Sequence, residues 1–93
     1  MPEPGRPRRA VRAREGLGHA VTVVLREIRL ERGMTRAELA HGAQVSAQTL
    51  AKIEQGHSTD PGFTTVAAVA QTLGLPLDDL VERARDLADR SEA

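Results

Sequence analysis

Apolar residues between positions 19 and 32 repeat at the spacing of one helical face. Val21, Val24, Leu25 and Ile28 occupy positions i, i+3, i+4 and i+7, which predicts an amphipathic α-helix. Gly33 follows, where a residue in the left-handed conformation can close a helix without a steric penalty. The pattern therefore predicts a first helix over residues 19–32.

Two short helices are predicted next, separated by only a few residues. Thr35 and Glu38 match the S/T-x-x-E capping box that begins a helix. Ser46 is a typical N-cap residue and begins a third helix, which runs to about residue 55 and is closed by Gly56. The inward positions of the second helix are predicted to be Leu39, Ala40 and Ala43.

Two further helices are predicted in the C-terminal half. The fourth opens at Asp60 and Pro61, a cap residue followed by proline at the first helical position, and the fifth starts near Pro76 and continues to about residue 90. The inward stripe of the fourth helix is predicted to be Phe63, Val66, Ala67, Ala70 and Leu73. Because no strand-like alternation is present, the expected fold class is all-α with five helices.

The apolar stripe of the fifth helix has two interpretations. Leu77, Leu80 and Val81 are expected to complete the core. The stripe then continues through Ala84, Leu87 and Ala88. These last positions either contact a second copy of the chain, which is the preferred interpretation, or form an ordinary amphipathic end packed on the same protomer.

Composition narrows the possible functions. The 93 residues suffice for one small domain, and the absence of cysteine excludes disulfides and Cys-ligated zinc. Phe63 is the only aromatic residue, which argues against a protein that stacks unpaired bases and leaves duplex binding open. No apolar run approaches the roughly 20 residues of a membrane span, and no signal sequence is predicted. We expect a cytoplasmic bacterial protein without a membrane association.

Charge is distributed unevenly, although the formal net charge is zero. Residues 1–16 contain five arginines against two acidic residues and three of the five prolines, which predicts a flexible basic arm. The end of this arm either stays flexible or extends the first helix. Residues 17–82 are then the main domain and residues 83–93 a C-terminal helix extension. The candidate arm residues are Arg8, Arg9, Arg12 and Arg14, which either follow a nucleic-acid backbone or belong to a solvated tail.

The chemistry of the third helix favours nucleic-acid recognition. Gln48 and Lys52 lie on the side of this helix opposite Leu50 and Ile53, and two short helices joined by a few residues have the layout of a helix-turn-helix. In the major groove, Gln can bond adenine bidentately and Lys can reach guanine. No Ser/His/Asp set, paired carboxylates or Gly-rich phosphate loop is present, so we expect no enzymatic activity, cofactor or metal site.

Ordered motifs extend this interpretation. The stretch "LREIRLERGMTRAELAHGAQVSAQTLAKIEQG", followed by "FTTVAAVAQTLGLPLDDL", resembles the phage-repressor/Cro type of helix-turn-helix, also called the xenobiotic-response-element family. The resemblance covers residues 21 to about 82. It implies a repressor-like DNA-binding domain with the helix-turn-helix at helices 2 and 3, acting as a transcriptional regulator.

The resemblance also implies roles for individual residues. Base-edge contacts are implied for Ala47, Gln48 and Lys52. Backbone contacts are implied for Arg36, Ser46, Thr49, Gln55, His57 and Ser58. A structural ion pair is implied between Arg29 and Glu54.

The chain departs from the family pattern in the turn. Gln44 stands where the family most often has Gly. Either Gln44 adopts the left-handed conformation, at a cost of roughly 1–2 kcal/mol, or Gly42 does so in a shifted turn.

The expected partner is double-stranded DNA, bound by a homodimer on an inverted repeat. Two-fold symmetry would let two recognition helices reach half-sites one DNA turn apart. An alternative is a protein-interaction module with the same fold, such as an antitoxin or a transcription-machinery adaptor. The excess of four negative charges in residues 59–93 motivates that alternative.

Overall fold

The described part of the chain folds into five helices. A computed structural model describes residues 8–56 and 61–92, with side chains described at 14–56 and 61–90. These residues form no strand, which confirms the expected all-α class. The helices are α1 (Arg8–Glu31), α2 (Arg36–Ala43), α3 (Ala47–Glu54), α4 (Phe63–Leu73) and α5 (Leu77–Glu92).

Helix α1 begins earlier than the sequence pattern predicted. It starts at Arg8 rather than near residue 19, so the end of the predicted basic arm, residues 8–16, extends the first helix, which is the second of the two expectations for it. The three prolines of this region all lie at or before residue 7, and the residues that follow are mostly Arg and Ala, which are strong helix formers. Residues 1–7 of the predicted arm lie outside the described part of the chain.

The core lies between α1 and the other four helices. Helix α1 packs most extensively on α5 and also contacts α3 and α4, while α2 packs on α4 and α3. The three inward positions predicted for α2 are all buried. The largest fully buried side chains are Leu25, Ile28, Leu39, Leu50, Leu80 and Val69.

Helix α4 starts later than predicted, and part of its inward face was assigned wrongly. It begins at Phe63 after the N-cap residue Gly62, which has an extended ψ of 149°. Phe63 is 73% exposed because it occupies the first position of the helix, at the edge of the helical packing. Val69 is fully buried and shifts the inward face away from Ala67, which is only partly buried.

Helix α5 uses its apolar stripe differently from the expectation. Leu80 and Ala84 are buried, but Leu77 and Val81 are 39% and 41% exposed, so the prediction that these two complete the core was wrong. Ala84 is 0% exposed within its own protomer and is therefore not free for a dimer contact. Helix α5 packs mainly on α1, and the side of α5 that becomes buried carries Leu80 and Ala84. Two further apolar residues of the stripe pack against the core, Leu87 and Ala88.

One close approach joins α2 to α4, and one hydrogen bond joins the ends of α1 and α4. A Cβ atom at Gly42 would lie 2.6 Å from Cγ2 of Thr72, so a larger residue at position 42 requires the Thr72 side chain or a helix to shift. At the ends of α1 and α4, Nε of Arg32 donates to the carbonyl of Leu73 over 3.0 Å. This bond satisfies one of the free carbonyls at the end of α4.

Candidate nucleic-acid interface

The turn between α2 and α3 closes α2 and redirects the chain into α3. Gln44 has φ 57° and ψ 39° and is the only non-glycine residue with positive φ in the described part of the chain. Its N–H donates to the carbonyl of His41 over 3.2 Å, and the N–H of Val45 donates to the carbonyl of Ala40 over 3.0 Å. These two bonds form a Schellman motif. Of the two alternatives for this turn, Gln44 therefore adopts the left-handed conformation.

Helix α3 begins with the cap that the sequence predicted. Ser46 has extended backbone angles, and its hydroxyl oxygen accepts the N–H of Thr49 over 2.9 Å. The same hydroxyl donates to Oγ1 of Thr49 over 2.8 Å, which orients both side chains at the start of the helix. An eight-residue helix is too short to be stable alone in water, so this cap and the buried face of α3 hold it in place.

The two faces of α3 have opposite environments. Leu50 and Ile53 are buried, with exposures of 1% and 3%. On the other side, no described part of the chain covers Gln48 or Lys52. The other residues of α3 and its caps for which the resemblance implied DNA contacts are also exposed: Ser46, Ala47, Thr49 and Gln55.

The start of α2 presents free backbone N–H groups together with the guanidinium group of Arg36, its first residue. Thr35 and Glu38 form the predicted capping box: the Glu38 N–H donates to Oγ1 of Thr35 over 3.0 Å, and the Thr35 N–H donates to Oε1 of Glu38 over 2.8 Å. Within the described residues, the N–H groups of Arg36 and Ala37 have no acceptor. Free amides at the positive end of a helix dipole are suited to an anionic oxygen such as a phosphate oxygen.

The capping box also affects the titration of Glu38. The backbone N–H of Thr35 lowers the pKa of the Glu38 carboxyl from its ordinary value of 4.5, and the Thr35 side chain adds a smaller effect in the same direction. Both donors favour the ionised carboxylate. The cap therefore carries a full negative charge at neutral pH.

A buried carboxylate joins α1, α2 and α3. The Arg29 guanidinium donates through Nε to Oε2 of Glu54 over 2.8 Å and through Nη2 to Oε1 over 2.9 Å. The Arg29 and Glu54 side chains are 9% and 1% exposed, and Nη1 of Arg29 donates to the carbonyl of Met34 over 2.9 Å. The structure thus brings together the two residues for which an ion pair was implied.

Glu54 has a second cationic neighbour that sequence reasoning missed. Nε of Arg36 lies 3.3 Å from Oε1 of Glu54, and the Arg36 side chain remains 40% exposed. Eighteen positions separate the two residues. Neither periodicity nor a local motif relates positions so far apart, so the sequence contained no signal for this contact.

Comparison with known proteins identifies the family. The profile of the family described as Helix-turn-helix, HTH_3, matches residues 25–80. The chain belongs to this helix-turn-helix family. It is also 36% identical over 67 residues to the HTH-type transcriptional regulator DdrOP3 of Deinococcus deserti. That match covers 72% of this chain and 51% of the relative, so the chain spans about half the length of the curated relative it matches.

Membership of the helix-turn-helix family confirms the resemblance read from the sequence motifs. The matched residues include all of α2, α3 and α4 and the turn at Gln44. They also include Arg29 and Glu54, which form the buried ion pair. Gln44 itself is left-handed without being glycine, so this member keeps the turn geometry with a different residue.

Some predicted interface residues lie outside these observations. His57 and Ser58 lie outside the residues that the structure describes. Arg8, Arg9 and Arg12 belong to α1, but their side chains are not described. Arg14 is exposed on α1 and borders a groove lined by Leu17, Val21, Phe63 and Val66. No helix in the described ranges is long and apolar enough to cross a membrane, and those ranges hold no acidic or histidine cluster suited to a metal ion.

Proposed function

We propose that this chain is a sequence-specific DNA-binding domain of a transcriptional regulator. The single observation that carries the proposal is the exposure of Gln48 and Lys52 on the outer face of α3, opposite its buried face. An α-helix fits the major groove of B-DNA, where Gln bonds adenine bidentately and Lys reaches O6 and N7 of guanine. The methyl group of Ala47 would contact a thymine methyl group.

Backbone contacts would fix the orientation of α3 in the groove. Arg36 and the free amides at the start of α2 would hold one phosphate. Ser46, Thr49 and Gln55 flank the base-reading side chains, and His57 and Ser58 are proposed to contact the backbone beyond α3. The arginines at the start of α1 would add further phosphate contacts, which strengthen the salt dependence of binding.

The test is a binding experiment with matched substitutions. Duplexes selected from a random pool are titrated with wild type, Gln48→Ala and Lys52→Ala, and affinity is followed by fluorescence anisotropy. Loss of one good base contact costs about 1–3 kcal/mol and relaxes the sequence preference at one position. The controls are Gln71→Ala and Arg85→Ala, which remove an exposed amide and an exposed cation elsewhere. Wild-type affinity and preference in both α3 variants would refute the groove assignment.

A homodimer on an inverted repeat is the proposed assembly. Leu77 and Val81 lie one turn apart on α5 and are among the exposed large apolar residues, so they are the surface proposed for a second copy. Sedimentation equilibrium tests this: Leu77→Glu should shift the protein toward monomer, while Leu30→Glu, which alters a 52% exposed leucine on α1, should not. If Leu77→Glu and Leu30→Glu have the same monomer fraction, α5 is not part of the dimer interface.

A protein-interaction role is the second candidate. Asp78, Asp79 and Glu82 are exposed neighbours of Leu77 and Val81 in the sequence, and residues 59–93 carry an excess of four negative charges, which would suit a basic partner protein. Copurification from the native host distinguishes the two candidates. A stoichiometric protein partner together with no DNA retention would favour this candidate over DNA binding.

A further inference from the structure

The buried carboxylate of Glu54 forms ion pairs with two arginines, one buried and one partly exposed to solvent. Glu54 is 1% exposed and holds Arg29 in a bidentate pair that is almost as well buried. Its Oε1 atom also accepts the Nε of Arg36, whose side chain is 40% exposed. The pair with Arg29 connects α1 to α3, and the bond to Arg36 connects the end of α3 to the start of α2.

The bond to Arg36 involves only one of its three guanidinium nitrogens. Nε is directed at Glu54, and within the described residues neither Nη atom makes a hydrogen bond. A guanidinium is planar and its donors have fixed directions, so holding Nε fixes where the four Nη–H groups point. The Nη–H groups are therefore the donors of this 40% exposed side chain that remain available to a phosphate, and Arg36 is also the first residue of α2, where the amides of Arg36 and Ala37 are free.

We propose that Glu54 is a positioning residue for Arg36, holding its guanidinium so that the Nη–H groups meet the DNA phosphate at the start of α2. This inference rests on the proposed function. Arg36 would contact the phosphate, whereas Glu54 would act only through Arg36 and remain buried. A long arginine side chain loses rotamer freedom when it binds, and a side chain already held by Glu54 has less of that freedom left to lose.

The charges of the group are consistent with this role. One carboxylate between two guanidinium groups leaves a net charge of +1, and the cation nearer the solvent is Arg36. A phosphate approaching α2 therefore meets a positive site and not a neutralised pair. Because Arg29 already neutralises much of the Glu54 charge, the carboxylate can orient Arg36 without cancelling its attraction for DNA.

A double-mutant cycle tests the inference on the full chain. Anisotropy titrations at several KCl concentrations compare wild type, Arg36→Gln, Glu54→Gln and the double variant on the selected duplex. We expect Arg36→Gln to weaken binding about tenfold and to reduce the salt slope by about one. Glu54→Gln should weaken binding about fivefold in the wild-type background, but less than twofold in the Arg36→Gln background, because its effect passes through Arg36.

A control separates positioning from net charge. Glu27→Gln removes an exposed carboxylate on α1 and changes the net charge by the same amount as Glu54→Gln. This control should strengthen DNA binding slightly, by the same factor in the wild-type and Arg36→Gln backgrounds. Additive effects of Glu54→Gln and Arg36→Gln would overturn the positioning role and leave DNA binding standing. Absence of binding by the wild type to every selected duplex would overturn both.

A second variant keeps the test decisive if Glu54→Gln does not fold, since that change leaves Arg29 buried without its counterion. Arg36→Lys keeps the charge at an exposed site but cannot bond Glu54 through one nitrogen and present others in a fixed plane. If orientation matters, Arg36→Lys should bind within about twofold of Arg36→Gln. If Arg36→Lys instead binds as tightly as the wild type, Arg36 acts as an unoriented charge and the inference is wrong.

Discussion

Replacement of Gln44 by glycine should stabilise the domain. The left-handed conformation of Gln44 (φ 57°) costs a non-glycine residue roughly 1–2 kcal/mol, and glycine adopts it without that cost. Glycine also gains about 0.5–1 kcal/mol of chain freedom in the unfolded state, which works in the opposite direction. The Gln44 side chain is exposed and has no hydrogen bond with the described residues, so its removal loses no contact. The net gain is about 0.5–1 kcal/mol.

Thermal unfolding followed by circular dichroism measures this gain. For a domain of this size, about 1 kcal/mol corresponds to a rise in Tm of about 4–8 °C. Gln71→Gly is the matched control, because Gln71 is an exposed glutamine inside α4 whose φ is not positive. It should lose about 1 kcal/mol, the usual cost of glycine in a helix. Gln44→Val should also lower Tm, since β-branched residues avoid the left-handed region.

Comparison of Gln44→Gly with Gln71→Gly tests whether residue 44 is left-handed in solution. The same replacement of glutamine by glycine should raise Tm at position 44 and lower it at position 71. If Gln44→Gly lowers Tm as much as Gln71→Gly does, residue 44 is not left-handed in solution. A gain in Tm with a changed urea m-value would instead indicate an effect on the unfolded chain.

Three further substitutions test the packing and the cap. Leu39→Ala, at a 0% exposed position, should cost about 2–5 kcal/mol in urea unfolding. Gly42→Ala places a methyl group 2.6 Å from Thr72 Cγ2; overpacking of about 1–3 kcal/mol is offset by about 1 kcal/mol of helix propensity, so the net cost should be about 0–2 kcal/mol, and adding Thr72→Ser should make Gly42→Ala stabilising relative to Thr72→Ser alone. Because Thr35 lowers the pKa of Glu38 in the folded state, the cap stabilises fully above the unfolded pKa and loses this contribution as pH falls through the folded pKa. Glu38→Gln should flatten that part of the stability profile.

Helix caps were the features that the sequence predicted best. Thr35, Glu38 and Ser46 act through hydrogen bonds to backbone groups within three residues, so the local sequence contains the whole interaction. The start of α4 lacked such information, because its N-cap Gly62 makes no side-chain bond. Pro61 therefore suggested a start two residues too early.

The inward faces of the later helices were harder to predict. A stripe of apolar residues defines a range of directions, and packing against neighbouring helices selects one of them. In α5 this selection buried Leu80 and Ala84 and left Leu77 and Val81 on the surface. The dimer surface proposed for this chain therefore differs from the one that the stripe alone suggested.

Some features of the candidate site follow from nearby residues in the sequence, and others depend on contacts between distant residues. The exposure of Gln48 and Lys52 follows from the helical period once Leu50 is taken as the inward position, so it could be predicted. The contact of Arg36 with Glu54 depends on the relative placement of α2 and α3. That placement is set by tertiary packing, which the sequence pattern does not specify.

The two sides of α3 therefore have separate tasks. Its stability in the domain depends on Leu50, Ile53 and Glu54, which are covered by other helices or paired with buried charge. Gln48 and Lys52 make no hydrogen bond or ion pair with any described residue, so the folded domain does not require their identities. Substitution of either should change stability by less than about 0.5 kcal/mol. If these two residues read bases as proposed, binding preference can be altered at both positions while the helix that presents them stays in place.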